Sequence, residues 1–321
     1  MAEKLSRAKL MRLYEQMVLI RETELALAQL FADGEIPGFI HLCIGQEGIA
    51  VGVAAALEAA DTIATTHRGH GHALAKGVDL RRFLAEVLGK DEGLCRGRGG
   101  SMHLADTKVG MLGANGIVGA GLPIALGSAL AHQVRADNAI AVAFFGDGAL
   151  GEGAVHETWN LGALWKLPLL LVCEDNGWSE FTRSEEGVAL KLPLLAQAFG
   201  LPYRCVDGND VVAVHEGART LVAGVRKREG PAVLHCTTQR ARGHFEGDPQ
   251  RYRDDAGNGL PTADADPLHR LEQRLLRQGA EQATLQRSRA RVEARLQEAL
   301  TEARAGAVPD FATAMADVYT N

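Results

Sequence analysis

The chain has 321 residues, 46% hydrophobic and 23% charged, enough to bury one large core or two small ones. A formal net charge of −6 excludes a nucleic-acid binder that relies on a basic surface, and no apolar run is long enough for a membrane-spanning helix. Cys43, Cys95, Cys173, Cys205 and Cys236 are scattered without a CxxC pair, as in reduced thiols. Glu3, Glu15, Glu22 and Glu24, with no apolar signal core, argue against a targeting segment, so a bacterial-type cytoplasm is the expected location.

Residues 6–31 are expected to form a long amphipathic helix, with Leu10, Leu13, Met17, Ile20, Leu25 and Leu30 at near-helical spacing, and GEIPG at 34–38 breaks it. His41 follows in FIHLCIGQE, where a lone histidine is more often a packed core residue than a catalyst, and residues 47–57 read as a small-residue helix. Residues 61–66 look like a strand entering His67-Arg68-Gly69-His70-Gly71-His72. Three histidines and an arginine among glycines suit an anion or proton-transfer site, or else a solvated basic loop. Zinc is less convincing, because no cysteine pair or spaced acid follows. A short helix spans 79–88. The glycine-rich stretch 95–103, CRGRGGSMH, is read as a flexible loop, either an active-site wall or a surface turn. A second glycine-dense loop, 110–121, leads into helix 122–134, whose Ala125, Gly127, Ala129 and Ala131 permit close packing on another element or subunit.

The most informative stretch comes next. Residues 139–145 (AIAVAFF) read as a buried parallel strand ending on Gly146-Asp147-Gly148, with a helix after it. A second buried strand, 168–173, ends on Glu174-Asp175-Asn176-Gly177-Trp178, so twenty-six residues, 149–174, separate the GDG from Asp175-Asn176. Two parallel strands thus deliver an aspartate and an asparagine at the end of a sheet where α/β proteins bind ligands. Asp147, the Asn176 amide oxygen and exposed loop carbonyls are hard donors suited to Mg²⁺, which usually also takes phosphate oxygens and water. The glycines let the backbone approach a phosphate. An ordinary strand, glycine turn and helix is the plainer alternative, weakened by the second strand end.

Beyond it, 190–199 is expected as a helix, 203–206 as a strand, 210–227 as a helix capped by Asp210, and 231–238 as a last buried strand. That strand enters the charged loop 240–249, RARGHFEGDP. Two charged amphipathic helices, 266–277 and 281–304, are expected to pack on the outside.

Taken together, HLCIGQE, THRGHGHALAKG, GRGGSMH, GANGIVGA and GDG with EDN occur in the order found in alpha subunits of two-subunit thiamin diphosphate-dependent 2-oxo acid dehydrogenases. The chain resembles that family from about residue 10 to 319, and the loop GHFEGD is similar to that of the acetoin type. The resemblance implies Mg²⁺ held by Asp147, Asn176 and the main-chain carbonyl of Trp178. Asp175 stands where the family usually has a first asparagine. It further implies diphosphate contacts from His67, Arg68, Gly148, Ala149, Arg240 and His244, and main-chain contacts to the aminopyrimidine from Gly116 and Val118. His41 and His244 are the implied proton-handling residues near the substrate. Phe245 stands where pyruvate-type enzymes carry a regulatory serine, so that switch is expected to be absent.

The expected fold is a doubly wound, mainly parallel α/β domain, with a helical N-terminus at about 1–33, a core at about 39–240, and an active-site loop plus C-terminal helices at about 240–321. The implied function is cleavage of acetoin, or of pyruvate or a branched-chain 2-oxo acid, with transfer of the acyl unit to a lipoyl-bearing acyltransferase. The implied partner is a beta subunit, in an α2β2 heterotetramer. A Rossmann dehydrogenase would want GxGxxG after its first strand, where HRGHGH stands instead. A non-catalytic scaffold would need none of Asp147, Asn176, Arg68 and His244.

Overall fold

The computed structural model describes residues 5–254, 259–310 and 312–313; the rest of the tail included in the sequence-based boundary lies outside the described residues. The N-terminal α1 (Arg7–Ala32) is capped by the Ser6 hydroxyl, which accepts from Lys9 N, and buries Leu10, Leu13, Met17, Ile20, Leu27 and Leu30. After α2 (Glu47–Ala54) come β1 (Thr62–Ala64), α3 (His70–Lys76) and α4 (Leu80–Val87), the last capped by Asp79. Then follow β2 (Met111–Gly113), α5 (Gly121–Arg135), β3 (Ala141–Gly146), a 3₁₀ turn Asp147–Gly151, α6 (Gly153–Leu164) and β4 (Leu169–Asp175). A small hairpin of β5 (Trp178–Ser179) and β6 (Thr182–Arg183) leads to α7 (Ser184–Gly187) and α8 (Leu192–Ala198). The remainder is β7 (Tyr203–Asp207), α9 (Val211–Arg226), β8 (Ala232–Thr237), α10 (Pro267–Arg277) and α11 (Gln282–Arg304).

Six strands form one sheet in the order β2-β1-β3-β4-β8-β7, every neighbouring pair parallel. Alternation along β3 explains the layering. Ile140, Val142 and Phe144 face one core with α1, α2, α3, α4 and α9, whereas Ala141, Ala143 and Phe145 face a second core with α5, α6 and α8. The strand order reverses between β1 and β3, because the chain leaves β1 for the β2 edge and returns on the other side. That reversal opens a crevice at the carboxyl ends of β1 and β3.

Most expected elements stand within a few residues of their sequence-based limits, including the Asp210 cap, whose carboxylate accepts from Val212 N and Ala213 N. Strand β2 was hidden in the glycine-dense 110–121 loop, and the two-residue strands of the β5–β6 hairpin are too short to show a periodicity. The run HRGHGH is not a loop throughout, because α3 begins at His70 and buries both His70 and His72. The C-terminal helices do lie outside the sheet, on α1, α2 and α4, and α10 is tied in by Arg21, which pairs with Glu47 at 2.5 Å and Asp266 at 3.0 Å. Helix α5 packs Ala125 and Ala129 inward but leaves Ile124, Leu130 and Val134 exposed.

Candidate active site

A cleft of about 290 Å³ occupies the crevice at the strand reversal. His41, His67, Arg68, Gly116, Val118, Asp147, Gly148, Ala149, Asn176, Trp178, Arg240 and His244 all line it. They arrive from six separate stretches of chain, which only the sheet order brings together.

One end is built for an anion. Arg68, just after β1, is 6% exposed, and its guanidinium donates to the carbonyls of Leu42 at 2.7 Å and His244 at 2.9 Å. Arg240, after β8, is 5% exposed and donates to the Glu180 carbonyl at 3.0 Å and the Tyr252 hydroxyl at 2.8 Å. Among the described residues neither forms an ion pair with a carboxylate. Burial, then the charge of Arg240, pushes Arg68 down to about 10, and burial also lowers Arg240. Two buried cations beside one cavity and without a counter-ion are costly unless an anion arrives. The glycine turn completes this wall. A Cβ at Gly148 would lie 2.6 Å from the Ser179 hydroxyl, so the backbone runs closer there than any other residue allows.

Three imidazoles cluster beside the arginines. The His41 ring lies edge-on to His67 at 4.7 Å and to His244 at 5.0 Å. Burial, reinforced by Arg68, lowers His41 to about 3, His244 to about 4, and His67 well below its ordinary value. All three are therefore neutral near pH 7. Their spacing would suit a metal ion, but the same positive surroundings that keep them neutral also repel a cation. Buried His41 Nδ1, His67 Nε2, Gln46 Nε2 and Arg240 Nε have no hydrogen-bond partner among the described residues, and all four residues line the cleft. Unsatisfied groups at one wall point to a polar ligand.

The other end is built for a cation. Asp147 is 4% exposed; one carboxylate oxygen accepts from Asn176 N at 3.2 Å and the other from the Ser184 hydroxyl. Burial, with a contribution from Asp175, pushes Asp147 up to about 6. Among the described residues this carboxylate forms no ion pair with a cation. The Asn176 side-chain oxygen accepts from Trp178 N at 3.1 Å, and the Trp178 ring has the Arg183 guanidinium over it at 4.8 Å and Tyr252 edge-on at 5.4 Å.

Several supporting residues escaped the sequence reading. Glu174 is not a solvated acid at the strand end: it is 6% exposed, lines the cleft, and accepts from His72 Nε2 at 3.1 Å, while His72 Nδ1 accepts from the Thr65 hydroxyl at 2.8 Å. The 95–103 loop is pinned rather than flexible. Buried Glu86 accepts from four backbone N–H groups, of Cys95, Gly97, Gly99 and Gly100, at 2.6–3.0 Å. Ser101, at the far end, bonds His70 Nε2 at 2.8 Å, and His70 Nδ1 donates to Glu24 at 2.7 Å. This grip sets Met102 in the cleft wall. Asp248 does the same for His244, accepting from its N–H at 2.7 Å and from the Tyr252 hydroxyl at 2.6 Å. A Cβ at Gly243 would strike Asp248 at 2.5 Å. No local signal distinguishes these acids from surface ones; only tertiary contacts do.

The profile of the family described as "Dehydrogenase E1 component" matches residues 15–311. The alpha subunit of an acetoin:2,6-dichlorophenolindophenol oxidoreductase from Bacillus subtilis is 44% identical over 288 residues, covering 84% of this chain and 86% of that protein. The subunit of the same name from Cupriavidus necator is 41% identical, covering 99% of this chain and 96% of its own. A pyruvate dehydrogenase E1 component subunit alpha from Zymomonas mobilis is 39% identical, covering 98% and 88%.

Proposed function

The chain belongs to the dehydrogenase E1 component family, and on that premise we propose that it is the alpha subunit of a thiamin diphosphate- and Mg²⁺-dependent dehydrogenase of the acetoin type. The observation that carries this reading is the pairing, in one cleft, of an anion-seeking end at Arg68 and Arg240 with a cation-seeking end at Asp147 and Asn176. A diphosphate chelating a divalent ion needs both. Arg68, Arg240, His67, His244 and the backbone at Gly148 and Ala149 would hold the diphosphate. Asp147, the Asn176 amide oxygen and the Trp178 carbonyl would hold Mg²⁺. Gly116 and Val118 would meet the aminopyrimidine through the main chain.

Bound thiamin diphosphate supplies the carbanion chemistry that breaks the bond beside a carbonyl; the protein binds, orients and excludes water. His41 and His244, kept neutral by burial and by Arg68, can accept a proton at the substrate and return it. Neutral imidazoles also leave the diphosphate charge to the arginines. The acyl unit passes to a lipoyl-bearing acyltransferase.

Ile117 at 71% and Val118 at 52% exposure leave the pyrimidine side of the cleft uncovered. A beta subunit would cover it, in an α2β2 heterotetramer, as twofold assembly is the common solution. A cytoplasmic location fits the reduced cysteines, all five of which are free.

The GHFEGD loop and the Bacillus and Cupriavidus relatives favour acetoin, and the Zymomonas relative supplies the second reading, pyruvate. The complex with the beta subunit should turn over acetoin with higher kcat/KM than pyruvate or branched-chain 2-oxo acids, using dichlorophenolindophenol as acceptor. A preference for pyruvate would favour the second reading, and full turnover by the alpha chain alone would refute the need for a partner.

A further inference from the structure

Asp175, His235 and Tyr203 stand on three adjacent parallel strands, β4, β8 and β7. The register pairs Cys173 with His235 and Val233 with Tyr203, so the three side chains form a diagonal ladder, each step two residues along the strand. They share the face that carries Cys173, while Glu174 turns the other way into the cleft. His235 Nε2 donates to Asp175 Oδ2 at 2.8 Å, and its Nδ1 accepts from the Tyr203 hydroxyl at 2.7 Å. A carboxylate can only accept, so this chain fixes the histidine tautomer. The other oxygen of Asp175 accepts from Gly177 N at 3.1 Å, and its carbonyl accepts from Thr238 N at 2.8 Å. Its carboxylate and carbonyl are therefore held on both sides of Asn176.

The next residue matters most. Asn176 N donates to Asp147 Oδ1, so the peptide that follows Asp175 touches the carboxylate assigned to the metal. Asp175 adds a charge to that neighbourhood that an asparagine would not, and the ladder turns its side chain toward β8. Its carboxylate still lies close enough to interact with that of Asp147, so it contributes negative potential at the cation end.

Resting on the magnesium assignment above, we propose that Asp175, oriented by His235 and Tyr203, is a positioning residue of the cation site that fixes the Asn176 peptide and tightens divalent-cation binding through its charge. The hydrogen-bonded ladder behind the ligands has the role that carboxylate partners of metal-bound histidines have elsewhere, orienting a donor group and raising the site's affinity.

The test uses the alpha–beta complex with saturating thiamin diphosphate and Mn²⁺ as a paramagnetic probe, its free fraction read by electron paramagnetic resonance and Mg²⁺ measured by competition. Asp175→Asn keeps the shape and removes the charge; His235→Gln keeps the charge and removes its orienting donor. Each should weaken Mn²⁺ and Mg²⁺ binding about tenfold or more, the usual scale for losing an outer partner of a metal site. The melting temperature of the metal-free complex should move little in Asp175→Asn, because Asp147 loses a repulsive neighbour while either His235 or Gly177 loses its acceptor oxygen. Parent-like Mn²⁺ affinity in Asp175→Asn overturns the proposal, and so does a lowered melting temperature with unchanged affinity. If the parent binds thiamin diphosphate equally well in chelator and in Mg²⁺, the magnesium assignment itself falls and this proposal with it.

Discussion

Arg68 donates to the main-chain carbonyl of His244 at 2.9 Å, so the residue that leaves β1 carries the loop that leaves β8, 176 positions later. The guanidinium does two jobs at once: it anchors a wall of the cleft and, with Arg240, makes the cavity positive.

That double role predicts a separable outcome. Arg68→Met should weaken thiamin diphosphate binding by about 10- to 100-fold, the scale of one charged hydrogen bond lost. Arg240→Met should weaken it similarly, while removing a buried cation without an ion-pair partner should leave the cofactor-free melting temperature unchanged or higher. Calorimetric titration and thermal melts of the complex check both halves.

Asp147 gives the sharpest test of the cation end. Asp147→Ala should abolish Mg²⁺-dependent cofactor binding and leave the fold intact, since its carboxylate accepts from the local groups Asn176 N and the Ser184 hydroxyl and forms no ion pair with a cation among the described residues. Trp178 fluorescence during a Mg²⁺ titration is the measurement, and parent-like tightening in the variant would contradict the assignment.

Glu86 should matter although it never touches the cleft. Its carboxylate gathers four backbone N–H groups, and a glutamine would turn donors toward some of them. Glu86→Gln should therefore cost about 2–3 kcal/mol, speed tryptic cutting at exposed Arg98, and raise the apparent cofactor dissociation constant by loosening Met102. Unchanged proteolysis would mean that the loop is held by other contacts.

The imidazoles predict a pH dependence with a definite sign. An unfolded chain takes up a proton on histidine near pH 6.5, whereas folded His41 and His244 stay neutral down to about 3 and about 4. Between those values the unfolded state binds more protons, so this stability is complete above pH 6.5 and is lost as pH falls. Melting the complex at pH 7.5 and 5.5 should show the loss, and His41→Gln should reduce it by about 1 kcal/mol. An identical pH response in the variant would show that His41 titrates alike in the folded and unfolded chain and is not held neutral by burial.

What the sequence by itself determined is the part that depends on short range. Strand 139–145, the glycines after it, the Asp210 cap and the spacing from GDG to Asp175-Asn176 are local constraints on backbone conformation, and they stand in the structure where they were read. Side-chain direction was not legible. Glu174 and Asp175 are neighbours in sequence, but alternation sends one into the cleft and the other to His235, and which face is the cleft depends on the helices packed there. Within HRGHGH, the start of α3 at His70 divides the run: His67 and Arg68 face the cavity, while His70 and His72 bond buried acids instead. Glu86 reads as an ordinary helix acid until the 95–100 backbone wraps it. These outcomes were decided by tertiary structure alone, because a buried carboxylate or imidazole is defined by the partners that replace its water, and those partners come from distant positions in the chain.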